Sequence, residues 1–323
     1  MTALPGDFAE ITIGDHDRHA LQTAMTALLE RHHSADAPAL LHEAAALGRI
    51  LPVDLRDRLA EMREPATIAA LVIRNGPVGD DEVPPTPDHW RNRPFNGTRP
   101  QDFWLTLIGT QLGSPTCWST IQDGRALVDV LPVKGQEDQQ TGHGSAVGLD
   151  FHIEDAFHDE RCDILTLLTL RNNDDVPTAI ATSGGLDLAA LDLDTLHEPR
   201  YLIHPDPEHL RDGKLADPVP TPVLFGDRKQ PAFRIDPAFT RALPGDTTAQ
   251  HAFDELCAQL SGRLVEVPVP PGDVLLLNNH RTVHGRRPFH ARYDGTDRWL
   301  RKLTVRYSRP GQRVPTVHRV QPS

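Results

Sequence analysis

Apolar positions along the chain follow two periods. Between residues 16 and 62 the period is helical: Ala20, Leu21, Met25, Leu28 and Leu29 recur on one face, and Leu40, Leu41, Ala44, Ala45 and Leu47 form a second set. Pro52 and Asp54 open a short helix over 55–62, with Asp54 as its candidate cap. Beyond this the period shortens. Residues 66–73 are apolar and stop at Asn75-Gly76-Pro77, which predicts a buried strand and a turn. The unbroken apolar runs 164–171 and 274–277 predict strands covered on both faces, the second after the turn Pro270-Pro271-Gly272-Asp273. Further strands are expected over 126–133, 177–182, 264–267 and 302–308, with a hairpin over 223–236 around Gly226-Asp227-Arg228. Helices are expected over 103–112, 186–196 and 247–260.

Three polar stretches interrupt these elements. Residues 77–101 and 204–222 are proline-rich loops long enough to act as lids. Residues 135–145 are glycine-rich, fit neither period, and stand just before the most reactive stretch of the chain. Many short strands with helices concentrated at the start imply a mostly β protein with flanking helices, built on a double-stranded β-helix (a cupin-like jelly roll). The expected organisation is one domain over 1–323: a helical flank at 1–80 and a jelly-roll core at 100–310, with lid loops 77–101 and 204–222.

Composition narrows the function. A formal charge of −12 over 323 residues, with no basic cluster, argues against nucleic acid or an anionic membrane as partner. Cys117, Cys162 and Cys257 are few and scattered, which fits buried thiols in a reducing compartment rather than disulfides or a zinc knuckle. The start of the chain lacks the pattern of a signal peptide, and no apolar run reaches membrane-spanning length. A cytoplasmic protein is expected.

The candidate chemistry is at 149–157. His152 and Glu154 are two residues apart after an alternating segment, so both side chains leave an extended chain on one side, about 7 Å apart along it. An imidazole and a carboxylate so placed can share one metal ion, and His284, in Thr-Val-His-Gly-Arg, is the candidate third ligand. Two histidines and a carboxylate on one face, with the opposite positions open, are the ligand set of non-haem Fe(II) oxygenases. Fourteen residues beyond His284, Arg298 is placed to clamp the far carboxylate of a co-substrate.

Four motifs carry a family resemblance: His-x-Glu-Asp-Ala-Phe-His at 152–158, Val-Leu-Phe-Gly-Asp-Arg at 223–228, Thr-Val-His-Gly-Arg at 282–286 and Arg-Tyr-Asp-Gly-Thr-Asp-Arg-Trp-Leu at 292–300. In these the chain resembles the clavaminate-synthase-like Fe(II)/2-oxoglutarate oxygenases, nearest the branch that hydroxylates free L-asparagine or L-arginine at C3 in non-ribosomal peptide antibiotic pathways. The resemblance covers most of 100–310 and is weak before residue 80. It implies Fe(II) on His152, Glu154 and His284, with 2-oxoglutarate and O2 as co-substrates. Arg298 and Thr178 would hold the C5 carboxylate of 2-oxoglutarate. Asp236 would meet the side chain of the amino-acid substrate, and Glu137 and His143 would lie in the loop that helps hold it. A glutamate at 154, where related halogenases leave room for chloride, implies hydroxylation.

Three positions depart from the pattern. His143 stands where the asparagine enzyme has an asparagine. Lys302 replaces an arginine that pairs with the substrate's α-carboxylate, with Arg301 beside it. Ala238 stands where the arginine hydroxylases carry a second acid. The implied substrate is a polar or basic amino acid (asparagine-, arginine- or lysine-like), free or tethered to a carrier protein. The competing readings are a non-oxidative cupin-like metalloenzyme, such as an isomerase or lyase, and an inactive binding protein on the same fold.

Overall fold

The computed structural model describes residues 6–34, 38–64, 67–79, 83–94, 97–210, 217–307 and 317–321. Parts of both expected lid loops (80–82 and 95–96 of the first, 211–216 of the second), the start of the run 66–73 and residue 308 lie outside the described residues.

Two sheets face each other. The larger has eight strands among the described residues, in the order Phe8–Thr12, Ala70–Arg74, Val274–Asn278, Ile164–Arg171, Trp299–Tyr307, Gly113–Trp118 and His318–Val320, with Leu127–Val130 also on Trp299–Tyr307. The smaller runs Val265–Val267, Thr178–Thr182, Thr282–Arg286, Leu149–His152. Pairing is antiparallel except for the two outer pairs of the large sheet.

The unbroken apolar runs are explained by the layers on either side. Leu275 and Leu277 pack with Leu165, Leu167 and Ile180 between the sheets. Their alternates Val274 and Leu276 join Ile164, Leu168 and the helices on the outer face. Helix Arg99–Leu112, buried along almost its whole length, covers that outer face, and the N-terminal helices pack beyond it. Helix Thr247–Ser261 packs on the outside of the smaller sheet, against Ala181 and Val283.

The N-terminal helices form at Asp15–Arg31, Pro38–Leu47 and Val53–Glu61. Pro52, not Asp54, is the N-cap of the third, and Asp54 is a first-turn acid. The expected flank also holds two strands of the large sheet, Phe8–Thr12 and Ala70–Arg74. The helix expected at 186–196 is instead the 3-10 turn Leu188–Ala190 and the single helical turn Leu193–Leu196. Asp192 caps that last turn by accepting from the Thr195 N–H, and aspartates that compete for backbone in this way break helices. The hairpin at 223–236 is present as Leu224–Phe225 paired with Ala232–Phe233, and Gly226 turns it at a φ of 79°.

Candidate active site

His284 and His152 are directly opposite each other in neighbouring antiparallel strands, with ring centroids 4.5 Å apart. Gly285 permits this approach. A Cβ there would lie 2.7 Å from the Leu149 carbonyl oxygen and 3.1 Å from the Phe151 nitrogen. The register shifts between His284 and Arg286, so the closest approach of the two strands coincides with the ligand pair.

Glu154 follows the strand end, and Ile153 between it and His152 turns into the outer core. Asn279 fixes the main chain here. Its Oδ1 accepts from the Glu154 N–H at 2.8 Å, and its Nδ2 donates to the carbonyls of Glu154 and Cys162 at 3.1 and 3.0 Å. Asp155 then takes a φ of 54°, a conformation aspartate tolerates better than most residues.

The result is one compact donor set. Glu154 Oε1 is 3.2 Å from His284 Nε2 and 3.9 Å from His152 Nε2, and all three ligand atoms lie within 4.8 Å of one another. The set suits ferrous iron, which takes two imidazoles and a carboxylate on one face. His152 Nδ1 is 2.8 Å from the Asp150 carbonyl, which leaves Nε2 toward the carboxylate. Burial, with His152 beside it, pushes His284 down to about 4, so it is neutral and able to ligate at neutral pH. Burial opposes charge on His152 as well, but Glu154 and Asp236 outweigh it and raise the group to about 9. Glu154 is held well below the usual carboxylate range: burial works against ionisation, and Lys302 and the two histidines overcome it.

These groups line one cavity between the sheets. Strand alternation supplies much of the opposite wall, since Arg298, Leu300, Lys302 and Thr304 share a face. Arg298 is buried. It donates to Thr178 Oγ1 at a long 3.5 Å, and its Nε has no hydrogen-bond partner. Burial, with the Arg286 guanidinium nearby, lowers Arg298 to about 9. Two cationic forks in one pocket with that nitrogen unpartnered call for an anionic ligand.

The other predicted residues are placed differently from one another. Asp236 lines the cavity, and its Oδ1 accepts from the Ala238 N–H at 3.1 Å. Glu137 lies on a separate, shallow cavity and accepts from the Tyr293 hydroxyl at 3.0 Å. His143 is buried behind the cavity lining, with Nδ1 2.9 Å from the Leu131 carbonyl. Lys302 is in the cavity, but its ammonium donates to Glu154 Oε2 at 2.8 Å. Arg301 points the opposite way, into a buried network with Asp102, Asp129 and Thr98.

Sequence reasoning passed over the acids of the second lid loop. Asp206 and Glu208 line the cavity. Glu208 Oε1 is 3.2 Å from His143 Nε2, yet it is buried without a hydrogen bond, so the two are close but misaligned. His209 anchors the loop, with Nε2 3.1 Å from Asp155 Oδ1 and Nδ1 2.9 Å from Thr120 Oγ1. The available signal was His-Pro-Asp-Pro-Glu-His at 204–209, one acid between two prolines and a second directly after them, in a loop already identified as a lid. Asn279 and Arg286 were also missed, though each is a polar residue within or just beyond a buried strand.

Comparison with known proteins agrees with this geometry. Residues 193–304 match the family model described as taurine catabolism dioxygenase TauD, TfdA family. The chain is 36% identical over 315 residues to enduracididine beta-hydroxylase of Streptomyces hygroscopicus, covering 90% of this chain and 92% of the relative. It is 34% identical over 324 residues to the L-ornithine/L-arginine 3-hydroxylase of Catenulispora acidiphila, covering 92% and 94%. The crystal structure of the non-haem iron oxygenase OrfP with Fe, succinate and (3S)-hydroxy-L-Arg superposes with a TM-score of 0.85 at 38% identity, over 92% of this chain and 93% of that one. The chain belongs to the clavaminate-synthase-like Fe(II)/2-oxoglutarate-dependent oxygenases of the TauD/TfdA family.

Proposed function

We propose that this enzyme hydroxylates C3 of a free L-amino acid with a cationic side chain, arginine- or ornithine-like, coupled to decarboxylation of 2-oxoglutarate to succinate and CO2. The observation that carries the reading is the convergence of His152, Glu154 and His284 with the partly unpartnered Arg298 in one cavity. When bound, Fe(II) supplies the oxygen chemistry, and the protein orients and desolvates.

His152, Glu154 and His284 are the residues to hold the ion. Arg298, with Thr178 beside it, takes the C5 carboxylate of 2-oxoglutarate. Asp236, Asp206 and Glu208 make the rest of the cavity acidic, which favours a protonated side chain and disfavours a carboxylate. His143 lies behind Glu208 without a hydrogen bond to it, and Glu137 acts only through the 135–145 loop. The loop around 204–210 excludes water once substrate is in place. A non-oxidative metalloenzyme would have no use for Arg298 as placed.

A panel of free L-amino acids, scored by succinate release and product mass, tests the assignment. Arginine, ornithine or a close cationic relative is expected to gain 16 mass units, about one oxygen atom, with stoichiometric succinate. Selective turnover of L-aspartate or L-glutamate would contradict it. Glu154→Ala is expected to abolish turnover; retained turnover would remove Glu154 from the ligand set.

A further inference from the structure

Lys302 is the point at which this chain's cavity departs most clearly from the pattern its motifs imply. The position is expected to serve the α-carboxylate of the substrate. In the structure its ammonium is already engaged, donating to Glu154 Oε2 at 2.8 Å across 148 residues of sequence. The two oxygens of Glu154 therefore have separate neighbours: Oε1 faces both imidazole Nε2 atoms at 3.2 and 3.9 Å, and Oε2 faces Lys302.

We propose that Lys302 is a positioning residue of the metal site, holding the outer oxygen of Glu154 so that the carboxylate offers Oε1 alone to the ion. Asn279 already fixes the Glu154 main chain at both its N–H and its carbonyl. With the outer oxygen held as well, the carboxylate has little freedom to turn. Three protein donors on one face would leave the opposite positions of a ferrous ion for 2-oxoglutarate and O2. A second Glu154 oxygen on the ion would remove one of them. Strand register makes the lysine available: Lys302 faces the cavity while Arg301 is committed to Asp102 and Asp129 on the other side. Asp155 and Glu208 also act on the Lys302 charge, so an α-carboxylate brought here would meet an ammonium already shared among acids.

This inference rests on the oxygenase reading, and one experiment separates the two. The full-length protein is loaded anaerobically with Fe(II) and 2-oxoglutarate, without amino acid, and the visible metal-to-ligand charge-transfer band is recorded for the parent, Lys302→Met and Lys302→Arg. Removing the positive charge from Glu154 makes the iron more electron-rich, so the band of Lys302→Met is expected at longer wavelength, with Lys302→Arg returning it to the parent position. The ratio of half-saturation constants for L-arginine and its decarboxylated analogue, read from perturbation of the same band, is expected to stay within about threefold of the parent. A Lys302→Met band at the parent position overturns the proposal, as does a tenfold or greater collapse of that ratio. Lys302→Gln replaces Lys302→Met if the latter does not fold. A parent that gives no band sinks the oxygenase reading instead.

Discussion

Arg298 and Arg301 are three residues apart, both buried, and opposite in meaning. Arg301 is saturated. Its guanidinium binds Asp102 at 2.7 Å, Asp129 and the Thr98 hydroxyl at 2.8 Å, and Trp299 Nε1 donates to the same Asp129 at 2.7 Å. Burial costs that charge, but the two aspartates more than offset the cost and hold it protonated. Arg298 has a long bond to one hydroxyl and a buried nitrogen without a partner. Burial and Arg286 weaken its hold on its proton. A buried charge whose partners are all in the protein is architecture; one left partly unpartnered in a cavity is open to a ligand.

Substitution tests that contrast directly. Arg301→Met strands two buried aspartates and is expected to cost about 3–5 kcal/mol in urea unfolding. Arg298→Met removes a charge whose burial is poorly compensated, so the apoprotein is expected to be as stable as the parent or more so. The half-saturation constant for 2-oxoglutarate is expected to rise about a hundredfold or more, since a charge-assisted clamp is lost. Equal loss of stability in both variants would show that Arg298 is structural too.

Gly285→Ala sharpens the contrast from the ligand side. Its methyl group has no room against the Leu149 carbonyl, so the strands must part where His152 and His284 meet. Fe(II) affinity in an anaerobic titration is expected to fall about tenfold, roughly 1.4 kcal/mol, with the Arg301 network and the core unaffected. Unchanged affinity would mean that the strands accommodate the methyl group elsewhere.

The same comparison shows what was legible in the sequence. Arg298 was singled out as an arginine fourteen residues beyond His284, and the structure places it on the cavity lining with Leu300, Lys302 and Thr304. The core strands were readable because unbroken apolar runs need cover on two sides, which the helical layer and the second sheet provide. The partner of Lys302 was not readable: its contact with Glu154 spans 148 residues and depends on register between strands. The 186–196 helix failed because apolar spacing was read without weighing Asp192, whose side chain accepts from the Thr195 N–H and caps a single turn. The outer strands Phe8–Thr12 and His318–Val320 are short and pair in parallel with strands far away in sequence, so nothing local announces them.

On the open side of the barrel, Glu208 is a cavity-lining charge opposite in sign to Arg298, with a buried oxygen that makes no hydrogen bond and lies 3.2 Å from His143 Nε2. Glu208→Gln keeps the shape and removes the charge. The half-saturation constant for L-arginine is expected to rise about five- to tenfold, while that for L-citrulline, its neutral isostere, stays put, a difference of roughly 1 kcal/mol or slightly more. An equal change for both would assign Glu208 to packing.

The smallest expected effect is the pH dependence of the loop that carries these acids. Burial raises Asp206 to about 6, with Glu208 and Asp155 adding to the shift and His209 opposing it. A carboxyl raised in the docked loop contributes stability while protonated, and loses it as pH climbs from about 4 to about 6. Burial opposes charge on His209, but Asp155 outweighs it and raises the imidazole. That contribution is complete below about 6.5 and fades as pH rises through the higher docked value. Both signs agree, so docking of 204–210 weakens steadily from pH 4 upward when no substrate is bound. Amide exchange in this loop, corrected for the intrinsic rate at each pH, is expected to lose several-fold of protection between pH 5 and pH 8. Exchange at Arg301 and its strand should not change over that range. A cationic amino acid should restore protection at pH 8 by supplying the charge that Asp206 and Glu208 then lack. Protection that instead rose with pH would show that Asp206 is already compensated within the protein, and that this wall of the cavity is as closed as the network around Arg301.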